Sequence, residues 1–561
     1  MRALLIQPPV YDTQYYAEWS MPSGLLKVAT WLRSLGYDLR LIDCLYPDRD
    51  GEVKQEIRKV VQVCSTLEWS LADYRQMTKD RYARAIVELP DHHRYKFEFG
   101  KSLRAVEEFL APKERQFGDD EGWIPDEVWI TSIMTYWWES TRDTVLLVKR
   151  LYPSARVRIG GIYPTLAPRH LQEALVALGH EFEIVRGRDL TLQTAATGTS
   201  VRNADCIVTG EIPAASNADL DFECYRQMTR ALDGEERLPD YAILTTSRGC
   251  PFDCSYCAQK AYNEGSLKVR IRSARDTFDE IRHKYHTYGV HQVAFYEDNF
   301  LLEKPNIERL LRLLIEHKHE MPHLRLYAPE GIEVRLLHQD LNFAKLMRES
   351  GFESVYLPLE TMSRDVTRAW NRRHSHAGLF ENAVKICHEA NFKLHDMEVN
   401  AFILFGMPDE NLQDVVNTIF YASEMVGGLV PMLYTPVPGS IMFEQFADYL
   451  FDEMGFDLHH LNGKLYPFLK YNHERRGIRL ADYVALESLA FRLNAKTKGE
   501  TFQLNTANRV YGALRKVLAE HDGVACPSPV PDELEAGNSM KSWGENGAER
   551  KTLKTLPLIR S

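Results

Sequence analysis

The sequence lacks any apolar stretch of about 18 residues, so it predicts no membrane-spanning helix. It also lacks an excess of basic residues, because 68 Lys and Arg face 79 Asp and Glu, for a formal net charge of −11. That balance argues against a nucleic-acid partner bound by bulk charge. No repeat of 20–50 residues is visible, which argues against solenoids and propellers. The first nine residues contain too short an apolar run for a signal peptide.

Cysteine is also scarce, with 9 residues among 561. The number is odd, and three of the nine lie within eight residues, at Cys250, Cys254 and Cys257. A disulfide framework fits this distribution poorly, whereas a metal site in the reducing cytosol fits it well. We therefore expect a cytoplasmic protein.

A chain of 561 residues is too long for one hydrophobic core, so at least two domains are expected. In the first part of the chain, apolar runs predict strands at 3–6, 38–42, 127–133, 156–159 and 206–208. A helix predicted over Gly24–Leu35 connects the first two strands, which implies parallel pairing. We predict an open α/β domain at residues 1–225, with a helical insertion at about 51–122.

A second α/β series begins at residue 240. Six apolar runs at 241–245, 293–296, 324–327, 354–359, 399–405 and 429–434 alternate with helical periodicity. Six such steps in about 200 residues predict a partial (β/α)6 barrel at 240–445, smaller than the closed eight-step form. A small helical region is predicted at 446–522, and the Pro/Gly/Glu-rich residues 523–561 are predicted to be disordered.

The cysteine triplet lies on the loop after the first strand of the second series, with C-x3-C-x2-C spacing. Three thiolates leave one iron of a [4Fe–4S] cluster without a protein ligand and open to substrate. Two alternatives remain. A four-cysteine zinc site would need another cysteine nearby, and the next one downstream is Cys387. The other alternative is three unligated thiols.

The triplet, with aromatic Tyr256 before its last cysteine, resembles the signature of the radical S-adenosylmethionine (radical SAM) enzymes. The resemblance implies that the open iron chelates the amino and carboxylate groups of S-adenosylmethionine. It also implies that one electron from the cluster cleaves the sulfonium to a 5′-deoxyadenosyl radical. An external reductant of the flavodoxin or ferredoxin type would supply that electron to the cluster.

The same resemblance implies further contacts to S-adenosylmethionine beside Tyr256. Glu297 ends the second strand, where the family often carries a Gly-Gly-Glu-like motif, although the two glycines are absent here. Glu360 ends the fourth strand, where the family often has a polar contact to the nucleoside or methionine part. Phe405 and Gly406 lie in the segment that resembles the adenine-binding fifth strand. The plain alternative for each acid is a solvated charge at a strand end.

The first domain resembles the Rossmann-like cobalamin-binding domain that precedes the barrel in one large radical SAM subgroup. Ser132 and Met134 match its Ser-x-Leu-like element, and Gly160 and Gly161 match its Gly-Gly element. Gly210 follows a third strand of the same sheet. The alternative is that these are ordinary turns between strands and helices, because a lone Gly-Gly pair has little specificity.

One departure concerns cobalt. Cobalamin-binding methyltransferase domains often carry Asp-x-His-x-x-Gly after the second strand, but Leu45 stands where that histidine would be. Leu45 has no lone pair, so either cobalt has no histidine on its lower face or cobalamin is not bound. The His92–His93 pair in the insertion is interpreted as a surface feature because of its charged neighbours.

The resemblance predicts a cobalamin-dependent radical SAM methyltransferase acting on an unactivated carbon of a small-molecule, biosynthetic substrate. The first alternative is a radical SAM enzyme that catalyses a cyclisation, rearrangement or oxidation without transferring a methyl group. The second is a non-enzymatic iron–sulfur or cobalamin sensor, which would need neither an open iron nor a complete barrel. No motif indicates the substrate, the oligomeric state or a catalytic residue.

Overall fold

A computed structural model describes residues 1–12, 19–47, 55–62, 95–110, 122–190, 204–210, 222–394 and 397–497. The His92–His93 pair, residues 498–522 and the predicted disordered tail at 523–561 lie outside the described residues. Within the described residues, no helix is long and apolar enough to cross a membrane.

The first nine strands, in chain order, are β1 (Arg2–Gln7), β2 (Val10–Asp12), β3 (Asp38–Asp43), β4 (Gln55–Gln62), β5 (Tyr95–Phe99), β6 (Glu127–Thr131), β7 (Arg156–Gly160), β8 (Glu183–Arg186) and β9 (Cys206–Thr209). Six of them form one parallel sheet in the order β3-β1-β6-β7-β9-β8. Because the chain runs outward in both directions from β1 and β6, the strand order reverses between them. In an open α/β sheet the carboxyl edge at such a point is where ligands bind.

Helices cover both faces of this sheet. They span Ser23–Ser34, Trp138–Leu151, Ile162–Leu166, Pro168–Val176 and Glu223–Asp233. The helix between β1 and β3 buries Leu25, Leu26, Ala29, Trp31 and Leu32, and this apolar face explains why the predicted Gly24–Leu35 segment folds as a helix. The first domain is therefore built on an open parallel α/β sheet.

The insertion is not simply helical, so that prediction is wrong. Its described residues form β4 and β5, which pair antiparallel in a three-stranded sheet with β2, and then one helix at Leu103–Leu110. The sequence of β5, Tyr-Lys-Phe-Glu-Phe, alternates aromatic and charged residues. That period of two is typical of a strand, and the high charge of the segment obscured it.

The second series begins with β10 (Tyr241–Leu244), β11 (Ser247–Arg248), β12 (Arg270–Ile271), β13 (Gln292–Phe295) and β14 (Arg325–Tyr327). It continues with β15 (Val355–Glu360), β16 (Val399–Phe405) and β17 (Gly428–Leu433). The six long strands are parallel and form two sheets, β10-β13-β14 and β15-β16-β17, with one parallel bridge from Leu326 to Phe352 between them. All six coincide with the predicted apolar runs.

Helices follow these strands at Gln259–Tyr262, Ala274–Tyr288, Lys304–Glu316, Val334–Leu337, Leu341–Ser350, Arg364–Ala369, Ala377–Glu389 and Leu412–Ser423. Along β15, Val355, Leu357 and Leu359 are buried, whereas Tyr356 and Glu360 on the opposite face are partly exposed. This alternation places the polar residues of the strand on the face turned away from the apolar core.

The described C-terminal region contains helices at Ile441–Gln445, Leu469–Arg476 and Leu480–Thr497, with a π-helical turn at Asp448–Glu453. The last helix packs against β17. One apolar cluster joins Val128 and Tyr163 of the first domain, Met407 after β16, and Tyr449 and Phe468 of this region. The C-terminal region therefore links the first domain to the carboxyl end of β16.

Candidate functional site

The three cysteines lie on the loop between β11 and β12, which pair antiparallel and close its base. Cys254 is buried, Cys250 is partly exposed, and Cys257 is exposed. Desolvation by the surrounding chain raises the pKa of Cys250 to about 11 and that of the Cys257 sulfur, although the residue as a whole is exposed, to about 12. Cysteine binds metal as the thiolate, so metal binding at this loop would release protons.

Each of the three thiols has a hydrogen-bond donor beside it. The backbone N–H of Phe252 donates to Cys250, and the backbone N–H of Gln259 donates to Cys257. The guanidinium of Arg372 lowers the pKa of Cys254 against the larger effect of burial. Donors of this kind stabilise thiolates, so the loop fits a metal centre better than three inert thiols.

The ligand spacing bears on the zinc alternative. Across the described ranges, no three His, Cys, Asp or Glu side chains lie close enough together to hold a single metal ion. A zinc ion needs its sulfur ligands at about 2.3 Å, which brings them into mutual contact. In an iron–sulfur cluster each cysteine binds a different iron. A four-cysteine zinc site would also need Cys387, which is buried in the helix at Ala377–Glu389 outside the loop.

Two acidic residues after β13 hold the cysteine loop in place. The buried carboxylate of Glu297 accepts hydrogen bonds from the backbone N–H of Thr246 and from the N–H (2.7 Å) and hydroxyl (2.9 Å) of Ser247. Asp298 accepts the backbone N–H of Gly249. Both oxygens of Glu297 thus already accept hydrogen bonds from this chain. The sequence did not indicate this role. A carboxylate has about four acceptor positions, so its predicted contact to an ammonium group remains a prediction.

Tyr256 and Glu360 meet at one guanidinium. Arg372 donates to the Tyr256 hydroxyl at 3.1 Å and to the Pro358 carbonyl at 3.4 Å, and it lies 4.0 Å from a Glu360 oxygen. Glu360 has a left-handed backbone conformation, with φ of 62°, where β15 is irregular. Burial raises the pKa of Glu360, and Arg372 lowers it. The structure therefore brings together two residues predicted from separate parts of the chain.

A cavity of about 200 Å³ lies at the carboxyl ends of β15 and β16. It is comparable in size to a cavity of about 150 Å³ that admits one benzene ring. Its apolar wall includes Trp370, Leu404, Met407, Met442 and Phe446, and its acidic residues are Glu360, Asp409, Glu410 and Asp414. Trp370 packs edge-on against Tyr256, with ring centroids 5.7 Å apart. The cavity is therefore suited to a ligand that combines an aromatic ring with polar groups.

Phe405 does not line this cavity, and its predicted contact to S-adenosylmethionine remains a prediction. It is fully buried and stacks on Tyr483 of the C-terminal helix, with ring centroids 6.2 Å apart. Its neighbours Leu404 and Met407 line the cavity instead. Successive strand residues point to opposite faces, so a shift of one residue reverses the assignment.

Gly406 is fixed by Glu410, which the sequence analysis missed. The Gly406 N–H lies 3.0 Å from both oxygens of the buried Glu410 carboxylate. Asn472 donates to the Met407 carbonyl at 2.7 Å and to the Tyr483 hydroxyl at 2.9 Å, and Tyr483 in turn hydrogen-bonds Glu410. An acidic residue four positions after a glycine was the available signal. Residues of the C-terminal region thus support the turn after β16.

Replacing Glu410 with Gln should change the pH dependence of stability. Burial raises the pKa of Glu410 from 4.5 to about 7. The folded state therefore favours the neutral carboxyl group. Its contribution to the free energy of unfolding is complete below pH 4.5 and is lost as the pH rises through 7. Relative to E410Q, the wild-type unfolding free energy should fall by roughly 3 kcal/mol across that window and then level off. Urea denaturation at several pH values measures the difference, and a pH-independent difference would refute the expectation.

At the first sheet, Ser132 and Gly161 form one backbone contact. The Ser132 hydroxyl accepts a hydrogen bond from Thr141 at 2.6 Å. Gly161 has φ of 120°, and an added Cβ would lie 2.2 Å from the Ser132 carbonyl oxygen. Gly161 is therefore required by the approach of its own chain. Gly160 is extended and would place a Cβ 3.9 Å from Val208.

Met134 and Gly210 have more open surroundings at this edge. The side chain of Met134 is 40% exposed, and the neighbouring Ile162 is 39% exposed. Gly210 has φ of 71°, and a Cβ there would meet only a Glu264 oxygen at 3.5 Å. Two exposed apolar side chains at the carboxyl edge of a sheet are typical of a ligand-binding surface.

This edge lies beside the cysteine loop. The helix at Ile162–Leu166 contacts the helix at Gln259–Tyr262, which directly follows Cys257. Arg188 also forms an ion pair of 3.7 Å with Glu264, across the same boundary. The glycine-containing edge of the first sheet and the cysteine loop are therefore neighbours.

Leu45 has a packing role in the structure. It is buried in a small apolar cluster with Val10 and Phe99, against which Trp137 packs. The loop after β3 is thus covered by residues from β2 and β5. The residues at this position stabilise the fold and supply no metal ligand.

Substituting Gly161 with Ala should destabilise the protein by about 3 kcal/mol, since it adds backbone strain to a backbone clash. The matched variant Gly210→Ala introduces similar strain without the clash and should cost about 1 kcal/mol. Chemical denaturation of the two variants measures the difference. Equal losses of stability in the two variants would show that the contact with the Ser132 carbonyl is not what requires glycine at position 161.

Comparisons with known proteins agree with this arrangement. Residues 244–422 match the Radical SAM superfamily. The chain is 26% identical over 205 residues to Uncharacterized methyltransferase PH0819 of Pyrococcus horikoshii, covering 36% of this chain and 41% of that protein. It is 24% identical over 358 residues to the anaerobic magnesium-protoporphyrin IX monomethyl ester cyclase of Rubrivivax gelatinosus, covering 58% and 59%. The chain thus spans less than two thirds of either relative.

Among solved structures, the radical SAM methyltransferase TsrM from Kitasatospora setae, with cobalamin and a [4Fe–4S] cluster bound, has a similar fold. The TM-score is 0.51 and the sequence identity 15%, over 80% of this chain and 78% of TsrM. A radical SAM domain implies a [4Fe–4S] cluster and S-adenosylmethionine, and the cysteine loop has the residues for the cluster. Residues 244–422 are therefore similar to the Radical SAM superfamily, and the chain has a fold similar to that of TsrM.

Proposed function

We propose that this chain is a cobalamin-dependent radical SAM enzyme that methylates an unactivated carbon of a small-molecule, biosynthetic substrate. The observation that supports this most directly is the contact between the glycine-containing edge of the first sheet and the helix after Cys257. When bound, the two cofactors would supply a radical that activates carbon and a methyl group to deliver to it. Binding them on neighbouring edges gives the reaction its proximity.

The residues of the second series would bind the cluster and S-adenosylmethionine. Cys250, Cys254 and Cys257 would ligate three irons, and Glu297 would keep their loop in position. Tyr256 and Glu360, with Gly406 beside the cavity, would contact the nucleoside and methionine parts. The acidic side chains of the cavity offer oxygen atoms that can hydrogen-bond the polar groups of such a ligand.

The residues of the first domain would bind cobalamin. Met134 offers an exposed apolar side chain for the corrin, and Gly210 leaves space at the same edge. Ser132, Gly160 and Gly161 would shape the backbone there. Since Leu45 is buried in an apolar cluster, the proposal gives cobalt no protein ligand from the loop after β3.

The test is product analysis with protein that has been purified anaerobically and loaded with the cluster and cobalamin. With S-adenosylmethionine, an external one-electron reductant of the flavodoxin or ferredoxin type, and small-molecule extracts, we expect 5′-deoxyadenosine and a product about 14 Da heavier than its precursor. The same reaction without cobalamin is the control. The proposal is refuted if 5′-deoxyadenosine does not form or if the heavier product does not form.

A second candidate is a cyclase, rearrangement enzyme or oxidase that transfers no methyl group. The similarity to the Rubrivivax cyclase, which covers more of the chain than the PH0819 match, favours keeping it. Such an enzyme would release 5′-deoxyadenosine, and its product would not show the mass increase that an added methyl group gives.

A further inference from the structure

The strands β11 and β12, with the two residues at 268–269 that lead into β12, form a ribbon at the base of the cysteine loop. Ser247 pairs with Ile271, and Arg248 pairs with Arg270, in antiparallel register. Both residues of β12 are exposed, and the apolar side chain of Ile271 is 50% exposed. The cysteine loop therefore has an exposed surface at its base to which none of the predicted functions assigns a role.

The backbone of this ribbon lies against the residue that precedes the first cysteine. Gly249 has φ of 99°, and an added Cβ there would overlap the carbonyl oxygen of Lys268. The N–H of Gly249 donates to Asp298, which fixes the same residue to the end of β13. Since Cys250 follows Gly249 directly, a molecule bound on the ribbon would lie close to a ligand of the cluster.

Positive charge is concentrated on and beside the ribbon. Three cations here form ion pairs with acids, namely Arg248 with Asp298 at 3.8 Å, Lys260 with Asp253 at 2.8 Å, and Arg188 with Glu264 at 3.7 Å. The exposed charged residues of the ribbon itself, Lys268 and Arg270, are both cationic. The whole chain has a formal net charge of −11, so this surface differs in sign from the chain as a whole.

The pairing of Arg248 with Arg270 does not favour stability. Residues directly opposite each other on antiparallel strands interact, and like charges in such a pair are destabilising. A charge on an edge strand can prevent pairing with other chains, but an acid at position 270 would do so equally well and would also attract Arg248. The ribbon therefore carries positive charge where stability alone favours the opposite sign.

We infer that the ribbon is the docking surface for an acidic carrier protein that delivers one electron to the cluster. The inference rests on the proposed function, because that function requires a cluster and an external reductant. A chain of net charge −11 repels an acidic carrier, so association needs a local surface of positive charge. Ile271 adds an exposed apolar contact among these charges, a combination typical of protein interfaces.

The electron transfer is a one-electron exchange between the docked carrier and the cluster. A flavodoxin hydroquinone loses one electron and becomes the semiquinone, or a reduced ferredoxin becomes oxidised, and the cluster gains that electron. The contact between Lys268 and Gly249 places the carrier beside the loop that holds the cluster. Docking at the amino ends of the barrel strands would place it at the opposite end of the barrel.

The experiment measures how fast a carrier reduces the reconstituted cluster under anaerobic conditions. Flavodoxin hydroquinone and reduced ferredoxin are mixed with the protein in separate stopped-flow runs, and the visible absorption of the cluster is followed. With the faster carrier at low ionic strength, Arg270→Glu should be reduced at least about tenfold more slowly than wild type. Near 1 M salt the difference should almost disappear, because the Debye length falls to about 3 Å.

Dithionite provides the first control, because a small reductant needs no docking surface. It should reduce wild type and Arg270→Glu at rates within about threefold of each other. Arg270→Glu should also be no less stable than wild type in urea, since its new carboxylate would face Arg248. A purely structural role for Arg270 does not predict slower reduction by the carrier in a variant of undiminished stability.

Arg325→Glu is the matched control variant. Arg325 is exposed at the amino end of β14, and its substitution changes the net charge by the same amount. We expect its reduction by the carrier to stay within about threefold of wild type. If Arg270→Glu fails to retain iron, Lys268→Glu takes its place with the same expected results.

Three results would overturn the inference: wild-type reduction of Arg270→Glu by the carrier, an equal decrease in Arg325→Glu, or an equal decrease with dithionite. Failure of both carriers to reduce a wild-type cluster that dithionite reduces would also overturn it. Failure of the wild-type protein to hold any cluster would instead refute the proposed function. The two failures are therefore distinguishable.

Discussion

Replacing Cys250, Cys254 and Cys257 together with Ala is expected to reduce bound iron and 5′-deoxyadenosine release each by about 100-fold or more. Without thiolates the loop has no ligands for iron, and the backbone donors beside Cys250 and Cys257 cannot bind it. Iron and sulfide analysis after anaerobic reconstitution measures the first effect, and chromatography of the reaction products measures the second.

The control for this prediction is Cys387→Ala. Cys387 is a buried thiol in the helix at Ala377–Glu389, outside the cysteine loop. We expect full iron content in this variant, with a small loss of stability from one deleted core atom. Retention of all iron and sulfide by the triple variant would contradict both the cluster and the proposed function.

Replacing Glu297 with Ala is expected to destabilise the fold by about 3 kcal/mol and to weaken retention of the cluster. The carboxylate accepts two backbone N–H groups and one hydroxyl at the start of the cysteine loop. Its removal leaves buried donors without an acceptor and releases the loop. The desolvation that raises the pKa of Glu297 offsets part of this contribution, so the net effect is smaller than the sum of three bonds. Chemical denaturation and iron content measure the two effects.

Glu297→Gln is the matched variant. Its amide keeps one acceptor oxygen and nearly the same shape but replaces the other oxygen with a donor that faces the Thr246 or Ser247 backbone. We expect stability between that of wild type and Glu297→Ala, with the same order for iron retention. Wild-type stability in Glu297→Ala would show that the loop is held by other contacts.

The six parallel strands of the second series could be predicted because buried parallel strands appear in sequence as continuous apolar runs. Along β16, for example, six of seven residues are buried. The same rule does not specify side-chain direction. Phe405 lies in the segment that resembles the adenine-binding strand, yet its side chain faces Tyr483 of the C-terminal helix. Only the packing of that helix distinguishes the two faces of such a strand.

Gly161 illustrates a second limit. Its place in a Gly-Gly pair suggested contact with a ligand, whereas its φ and the nearby Ser132 carbonyl show that the backbone itself requires glycine. The helical prediction for the insertion was wrong for a related reason. Its high charge suggested a solvated helix, and pairing of β5 with β2 and β4 makes strands of the same residues.

The sequence by itself determined the cysteine loop, since three ligands within eight residues are a local pattern that no distant contact can alter. It likewise determined the order of strands and helices, because apolar periodicity is read over short windows. The tertiary structure alone decided which residues support the loop. Glu297, after β13, supports the cysteine loop, and Glu410 supports the turn after β16; both reach their partners because parallel strands bring their carboxyl ends to one edge.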